Sequence, residues 1–257
     1  MKIIPIKLSV TTCYLIPTGE TYLLIDTGYT EDWALFCMRL KEVDVSVSQI
    51  SHILLTHHHD DHCGLLHLIL AQNSSIKIIM TSLCKELIQK GENDKSHGGG
   101  LLNRRVAFLI RHKQQYVSLV LHKKVQKENN LKFSPYFCRD CDIIVQDAVC
   151  LRSIGIPLDG VILETPGHTV DSISVLFDDG DCLVGDAAAD MLKFAGTKNC
   201  VIFICNMDTY YHSWEKIIDK GAQKIYPAHG RAFPVSQLKK NIWKNKAENL
   251  VQYILIK

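Results

Sequence analysis

Residues 56–62 read Thr-His-His-His-Asp-Asp-His, so four side chains able to bind a transition metal, His57, His59, Asp61 and His62, fall within six positions. They leave the apolar run Ile53-Leu54-Leu55, which reads as a short buried strand. They precede Gly64-Leu65-Leu66-His67-Leu68-Ile69-Leu70, which reads as the start of a helix. Alternate residues of an extended segment point the same way, so His57, His59 and Asp61 can face one cavity. The turn into the helix then swings His62 toward the same cavity. Three adjacent histidines alone would equally fit a solvated polar loop or a tract that binds metal loosely.

Isolated candidates farther along the chain separate these readings. They are His168 in Thr165-Pro166-Gly167-His168-Thr169, Asp186 in Gly185-Asp186-Ala187, and His229 in Pro227-Ala228-His229-Gly230. Each stands at an expected strand end or in a tight loop, and the glycine and proline neighbours suit backbone turns that hold an imidazole rigidly. The order His-x-His-x-Asp-His followed by a distant His, Asp and His resembles the signature of the metallo-β-lactamase superfamily. The resemblance runs from residue 26 to 230 and includes Leu24-Ile25-Asp26-Thr27-Gly28 near the N-terminus.

The resemblance implies an α/β fold, an αββα sandwich of the metallo-β-lactamase type. It implies that His57, His59 and His168 hold one metal ion, that Asp61, His62 and His229 hold a second, and that Asp186 bridges the two. Imidazole and carboxylate donors suit two Zn2+ ions, with iron or manganese also compatible because no thiolate is in the set. Two cations ~3.5–4 Å apart can share a hydroxide and lower its pKa toward neutrality, which makes that hydroxide the expected nucleophile. Asp61 is the expected catalytic carboxylate, orienting the nucleophile or handling its proton. Asp26 is expected to buttress the ligand loop, the plainer alternative being a turn-forming Asp before Thr27-Gly28. His58 and Asp60 alternate with the ligands and should point away, and His67 reads as an ordinary helix residue.

Strands are expected at Ile3–Leu8, Cys13–Ile16, Tyr22–Asp26, Lys77–Thr81, Val161–Glu164, Ile173–Phe177, Cys182–Val184 and Val201–Cys205. Helices are expected at Asp32–Lys41, where Trp33, Phe36, Cys37 and Leu40 share a face, and at Leu83–Lys90, Tyr210–Lys220 and Gln237–Asn249. Periodicity alone gives only a mixed α/β class. Residues 95–130 break the rhythm and read as a helical insertion within a single domain spanning 1–257. The insertion opens with Ser96-His97-Gly98-Gly99-Gly100, and its segment 95–127 carries eight Lys or Arg and no acidic residue. These cations, Arg104 and Arg105 foremost, are either a solvated face or a lid that contacts an anionic group of the substrate. The apolar stripe of the insertion also fits a homodimer contact.

Composition narrows the partners. The chain has 257 residues, 47% of them hydrophobic, with 29 basic and 27 acidic side chains and a formal charge of +2. That balance gives no global attraction to nucleic acid or membranes and leaves a small molecule as the expected partner. Pro5 and Lys7 interrupt what would be the apolar stretch of an export signal, and no run approaches the ~18 apolar residues of a bilayer span. The cytoplasm is the expected compartment, so the ten cysteines are read as reduced, mostly core thiols. Cys138 and Cys141 form the one Cys-x-x-Cys pair, without a second pair to complete a zinc site.

The resemblance indicates a site more firmly than a substrate. Hydrolysis of a small carbonyl compound, a lactone, thioester or β-lactam-like molecule, is the leading expectation. Zinc β-lactamases are usually exported and typically lack the bridging aspartate present here as Asp186. Acyl-homoserine lactonases generally place a tyrosine three residues after that aspartate, where this chain has Ala189; Tyr210 and Tyr211 are the candidates to substitute. The basic insertion keeps a phosphodiesterase or nuclease as an alternative. Iron-dependent oxygenase or redox chemistry is another, although diiron relatives replace the second His of the signature with Glu, and that position is His59.

Overall fold

The structure, a computed structural model, describes residues 2–94, 96–120 and 132–252. Its strands bury both faces, and the side chains divide between the two faces with period two. Along Tyr22–Ile25 (β3), Leu23 and Ile25 join one apolar cluster while Leu24 joins another. Along Lys77–Thr81 (β5), Ile79 faces the first cluster while Ile78 and Met80 face the second.

Those strands belong to a six-stranded sheet. Ile4–Lys7 (β1) and Thr12–Pro17 (β2) run antiparallel into β3, which then pairs in parallel with Ile50–Leu54 (β4), β5 and Ile143–Val145 (β7). A second six-stranded sheet runs in the order Phe233–Pro234 (β14), Lys224–Pro227 (β13), Asp181–Gly185 (β11), Ile173–Phe177 (β10), Gly160–Glu164 (β9) and Val149–Cys150 (β8). Tyr14, Ile16, Leu54 and Ile79 of the first sheet meet Ile162, Val175, Phe177 and Leu183 of the second in a shared core.

Helices cover the outer faces. Trp33–Glu42 (α1), Leu66–Gln72 (α3) and Ser82–Ile88 (α4) place Phe36, Leu40, Ile69 and Ile88 against Leu15, Leu24, Ile53 and Ile78. Met207–Asp219 (α6) places Tyr210, Trp214 and Ile217 against Leu163, Cys182, Val184 and Ile225. The layers are therefore helix, sheet, sheet, helix, the sandwich expected from sequence. Arg104–Val120 (α5) is the helix expected in the 95–130 insertion; residues 95 and 121–130 of that segment lie outside the described residues. Val106 of α5 is fully buried in the outer cluster of the second sheet.

Two expected elements end early. Val201–Cys205 contributes only Phe203–Ile204 (β12), which pairs with Gly100–Leu101 (β6) in a separate two-stranded ribbon. The last expected helix spans Ser236–Asn241 (α7) and stops there. The Asn241 side chain donates to Asn199 Oδ1, the Asn245 amide donates to the Thr197 carbonyl, and the Asn245 N–H donates to the Tyr211 hydroxyl. These tertiary bonds draw the chain out of helical geometry through Trp243 at φ 60°, and a short 3-10 turn at Ala247–Asn249 follows. Cys182 and Cys200 lie in the core as expected.

Trp214 is fully buried, and its indole N–H donates to the Ala187 carbonyl at the foot of the site loop. Trp214→Ala should lower unfolding free energy by about 3–5 kcal/mol, read from the midpoint of a urea titration at unchanged slope.

Candidate metal centre

All the candidate ligands leave the C-terminal ends of strands at one edge of the sandwich. β4 leads into His57, His59 and the single helical turn Asp60–Cys63 (α2), which carries Asp61 and His62. The loop between β9 and β10 supplies His168, β11 ends just before Asp186, and β13 ends two residues before His229. The structure brings these seven residues together. Donor atoms lie within 4.8 Å of one another in three groups: His57, His59 and His168; Asp61, His62 and His229; and His57, His62 and Asp186.

Asp186 stands between the first two groups. Its Oδ2 lies 3.3 Å from His168 Nε2, and its Oδ1 lies 3.3 Å from His229 Nε2 and 3.6 Å from His62 Nε2. His59 Nδ1 and His168 Nε2 are 3.1 Å apart. Two nitrogens bound to one tetrahedral zinc at ~2.1 Å would be separated by roughly 3.4 Å, so the spacing suits a shared ion. Buried polar atoms are almost always hydrogen-bonded, yet among the described residues His57 Nε2 has no hydrogen-bond partner and His62 Nε2 meets only the Asp61 and Asp186 oxygens at 3.7 and 3.6 Å. Unpaired electron donors converging in a buried cluster fit a divalent cation better than any neutral ligand.

Neighbouring groups set the tautomers. A carbonyl or carboxylate oxygen accepts, so an imidazole nitrogen facing one carries the proton and the other nitrogen keeps its lone pair. His168 Nδ1 donates to the Phe203 carbonyl at 2.9 Å, His62 Nδ1 to Asp26 Oδ2 at 2.8 Å, and His229 Nδ1 to the Val10 carbonyl at 3.3 Å. In each case Nε2 faces the cluster; His62 and His229, raised by the carboxylates around them, must give up a proton before that nitrogen can bind a cation. Asp26 also accepts from the Thr56 N–H on Oδ1 and the Thr56 hydroxyl on Oδ2, both at 2.8 Å. It adopts φ 60°, and its carboxylate reaches both Thr56 and His62.

The loop carrying His168 depends on Gly167 at φ 132°. A Cβ there would sit 2.3 Å from Tyr210 Cα, so only glycine lets the loop lie against α6. Tyr210 and Tyr211 are themselves fully buried in the outer core. The Tyr210 hydroxyl donates to the Asp186 carbonyl at 3.1 Å, and the Tyr211 hydroxyl accepts from Asn245; both support the scaffold instead of replacing the tyrosine absent at Ala189.

Charge is balanced within the cluster. Burial alone would raise the Asp61 and Asp186 carboxyls, but His62 and His229 around both outweigh it and hold them well below the usual carboxylate range. Burial pulls His62 down, and Asp61, Asp26 and Asp186 together push it up to about 9. His229 moves upward for the same reason, Asp186 and Asp61 overcoming its burial. His57, His59 and His168 are shifted downward, chiefly by burial.

His58 and Asp60 take partners outside the cluster, although the segment bends at 56–58 and Asp60 opens α2 instead of continuing the expected extended run. His58 Nδ1 donates to Asp171 and its Nε2 accepts the Asp94 N–H; Asp60 Oδ1 accepts from Asn93. His67 only reaches the Gly64 carbonyl. Arg104 and Arg105 line a different cavity of about 300 Å3 with Phe108, Leu109 and Phe194, and none of the seven clustered residues borders it. Sequence reasoning missed Thr11, whose hydroxyl donates to Asp61 Oδ2 at 3.2 Å, and Asp171, which orients His58. Thr56 adjoins the histidine run and could have been found there; Thr11 carries no local signal.

Comparison with known sequences agrees with this geometry. A sequence model of the metallo-beta-lactamase superfamily matches residues 6–229. The chain belongs to that superfamily. It is 38% identical over 99 residues to thioesterase pkgB of Emericella nidulans, a match covering 37% of this chain and 28% of that protein. It is 26% identical over 233 residues to the beta-lactamase-like protein 2 homolog of Caenorhabditis elegans, covering 88% of this chain and 58% of the relative. The chain thus spans less than two thirds of the length of either. A metallo-beta-lactamase family protein of Thermus thermophilus shares the fold at TM-score 0.63 and 16% identity, covering 95% of this chain and 77% of that one.

Asp26→Asn keeps an acceptor for Thr56 but turns an amide N–H toward the protonated His62 Nδ1. We expect zinc affinity to fall ~10–100-fold, measured by competition with a chelator; unchanged affinity would leave Asp26 with the turn alone. Metal binding requires neutral imidazoles. In the metal-free protein His62 holds its proton up to pH about 9, and His229 is raised as well. Zinc loading at pH 7.5 should therefore release about two protons, and the count should fall as pH rises past the raised His62 value. Calorimetry in buffers of different ionisation enthalpy checks this; a proton count near zero at about pH 7.5 contradicts it.

Proposed function

We propose that this protein is a dinuclear metal-dependent hydrolase acting on a small carbonyl substrate, a lactone, thioester or β-lactam-like molecule. The observation that carries the reading is the division of the Asp186 carboxylate, one oxygen toward His168 and the other toward His62 and His229. On this reading His57, His59 and His168 hold one ion, Asp61, His62 and His229 hold the other, and Asp186 contacts both. Zinc is the proposed metal, because imidazole and carboxylate donors suit it. When bound, such a pair supplies an activated water at neutral pH and polarises the oxygen of the electrophile.

The remaining roles fall to the chain. Asp61 Oδ2 accepts from the Thr11 hydroxyl and lies 3.1 Å from His229 Nε2. That leaves the Asp61 carboxylate oriented at the cluster, where it can accept a hydrogen bond from water and fix its direction. Burial of the cluster lowers the local dielectric, which strengthens every charge interaction with the developing oxyanion. A protein nucleophile is not required. The name of thioesterase pkgB supports a thioester among the carbonyl candidates.

The test is an initial-rate panel of a lactone, an aryl thioester, a β-lactam and an activated phosphodiester with zinc-loaded protein. His168→Ala and Asp186→Ala run beside it, with bound zinc counted in each. We expect preference for one carbonyl substrate, and in both variants a loss of bound zinc together with more than ~100-fold of activity, beyond what outer partners of a ligand contribute. Full zinc with full activity in both variants would overturn the site, and a phosphodiester preference would overturn the substrate class.

A further inference from the structure

The first metal group borders a narrow cleft of about 10 Å3, room for a single water, whose lining includes His58, His59, His168, Phe203, Cys205 and His97. His97 comes from the glycine-rich start of the insertion and is 45% exposed at the side chain. Its Nδ1 lies 2.6 Å from Asp94 Oδ2. A carboxylate accepts, so Nδ1 carries the proton and the ring is fixed with Nε2 free of any described partner. Asp94 is only 8% exposed and also accepts from Lys90 Nζ and the Ser96 hydroxyl, which hold its carboxylate in place.

The main chain around this pair is pinned to the site. The Asp94 N–H donates to His58 Nε2 at 3.0 Å, and His58 Nδ1 donates to Asp171 at 2.9 Å. The Cys205 thiol donates to the His97 carbonyl at 3.1 Å. Gly99, at φ 96°, lies so close to β12 that a Cβ would sit 2.5 Å from the Ile204 carbonyl. The Phe203 carbonyl of that ribbon is the acceptor that orients His168. His97 and His168 are thus held to one short strand at one cavity.

We propose that His97, oriented by Asp94, supplies a proton to the leaving group through the water that this cleft can hold; this rests on the hydrolase reading above. The water oxygen bonds to the carbonyl carbon and gives up a proton. The bond from carbon to the leaving atom breaks with its electron pair going to that atom, and a proton from His97 Nε2 reaches it through the water in the cleft. His97 regains the proton that the attacking water released, so water adds across the broken bond and nothing is oxidised or reduced. Asp94 keeps its hydrogen bond to Nδ1 while Nε2 gives up and regains its proton.

A leaving group that departs as a stable anion needs no such proton, and this separates the role from a structural one. The probes are ethyl butyrate, p-nitrophenyl butyrate and S-phenyl thiobutyrate, tested on zinc-loaded wild type, His97→Ala and His97→Gln. We expect kcat/KM for ethyl butyrate to fall ~100-fold or more. The two activated substrates should change less than ~3-fold, since general acid assistance scales with need, and bound zinc should equal wild type. Independently of activity, proton NMR of the zinc-free protein should show a strongly hydrogen-bonded imidazole proton that is lost in His97→Gln and Asp94→Asn. Equal losses across all three substrates, or no such proton, would overturn the inference with the hydrolase reading intact. A wild type silent on these three and on the lactone and β-lactam of the earlier panel would overturn both.

Discussion

The two oxygens of the Asp26 carboxylate hold the site together. Both are committed to the segment after β4, through the Thr56 N–H, the Thr56 hydroxyl and His62 Nδ1. Without them the backbone of the histidine run would reach a buried edge with an unpaired N–H, and His62 would be free to rotate. A buried polar group left unpaired costs about 1–3 kcal/mol, more when charged. The geometry of the cluster therefore follows from a hydrogen-bond requirement that precedes any metal. The same carboxylate helps to keep His62 protonated in the absence of metal, so it both orients this ligand and sets the proton that must leave when a cation arrives.

The sandwich makes such an arrangement possible because its strands end together. Parallel pairing of β4 with β3 and of β11 with β13 puts His57, Asp26, Asp186 and His229 at the same edge although they are far apart in sequence. The apolar cores on either side are complete without the site residues. The charged cluster is thus an addition at the rim, surrounded by groups that neutralise it. Asp61 and Asp186 would be costly to bury alone, as would His62 and His229 in protonated form; together they compensate one another.

Much of this was legible in the sequence. The seven clustered residues could be named because metal-binding side chains are rare at strand ends flanked by glycine and proline, and because their order resembles a known signature. The strands could be read because period-two burial leaves apolar runs of the right length. What was not legible depends on tertiary contacts. The end of α7 is set by Asn241 and Asn245 bonding to Asn199, Thr197 and Tyr211, none of which is a local signal. The part played by Thr11 arises from a hydroxyl 50 positions from its partner Asp61. Tyr210 and Tyr211, the candidates to replace the tyrosine absent at Ala189, proved to be core, their hydroxyls satisfied by backbone groups.

The histidine run also divides its work. His57 and His59 give donors to the cluster, while His58 and Asp60 bind the Asn93–Asp94 segment that leads to His97. The bend after β4 and the first turn of α2 therefore fix both the metal-facing donors and the loop beside them. The middle histidine of the run, which a reading confined to the ligands treats as spare, is what couples the cluster to its entrance.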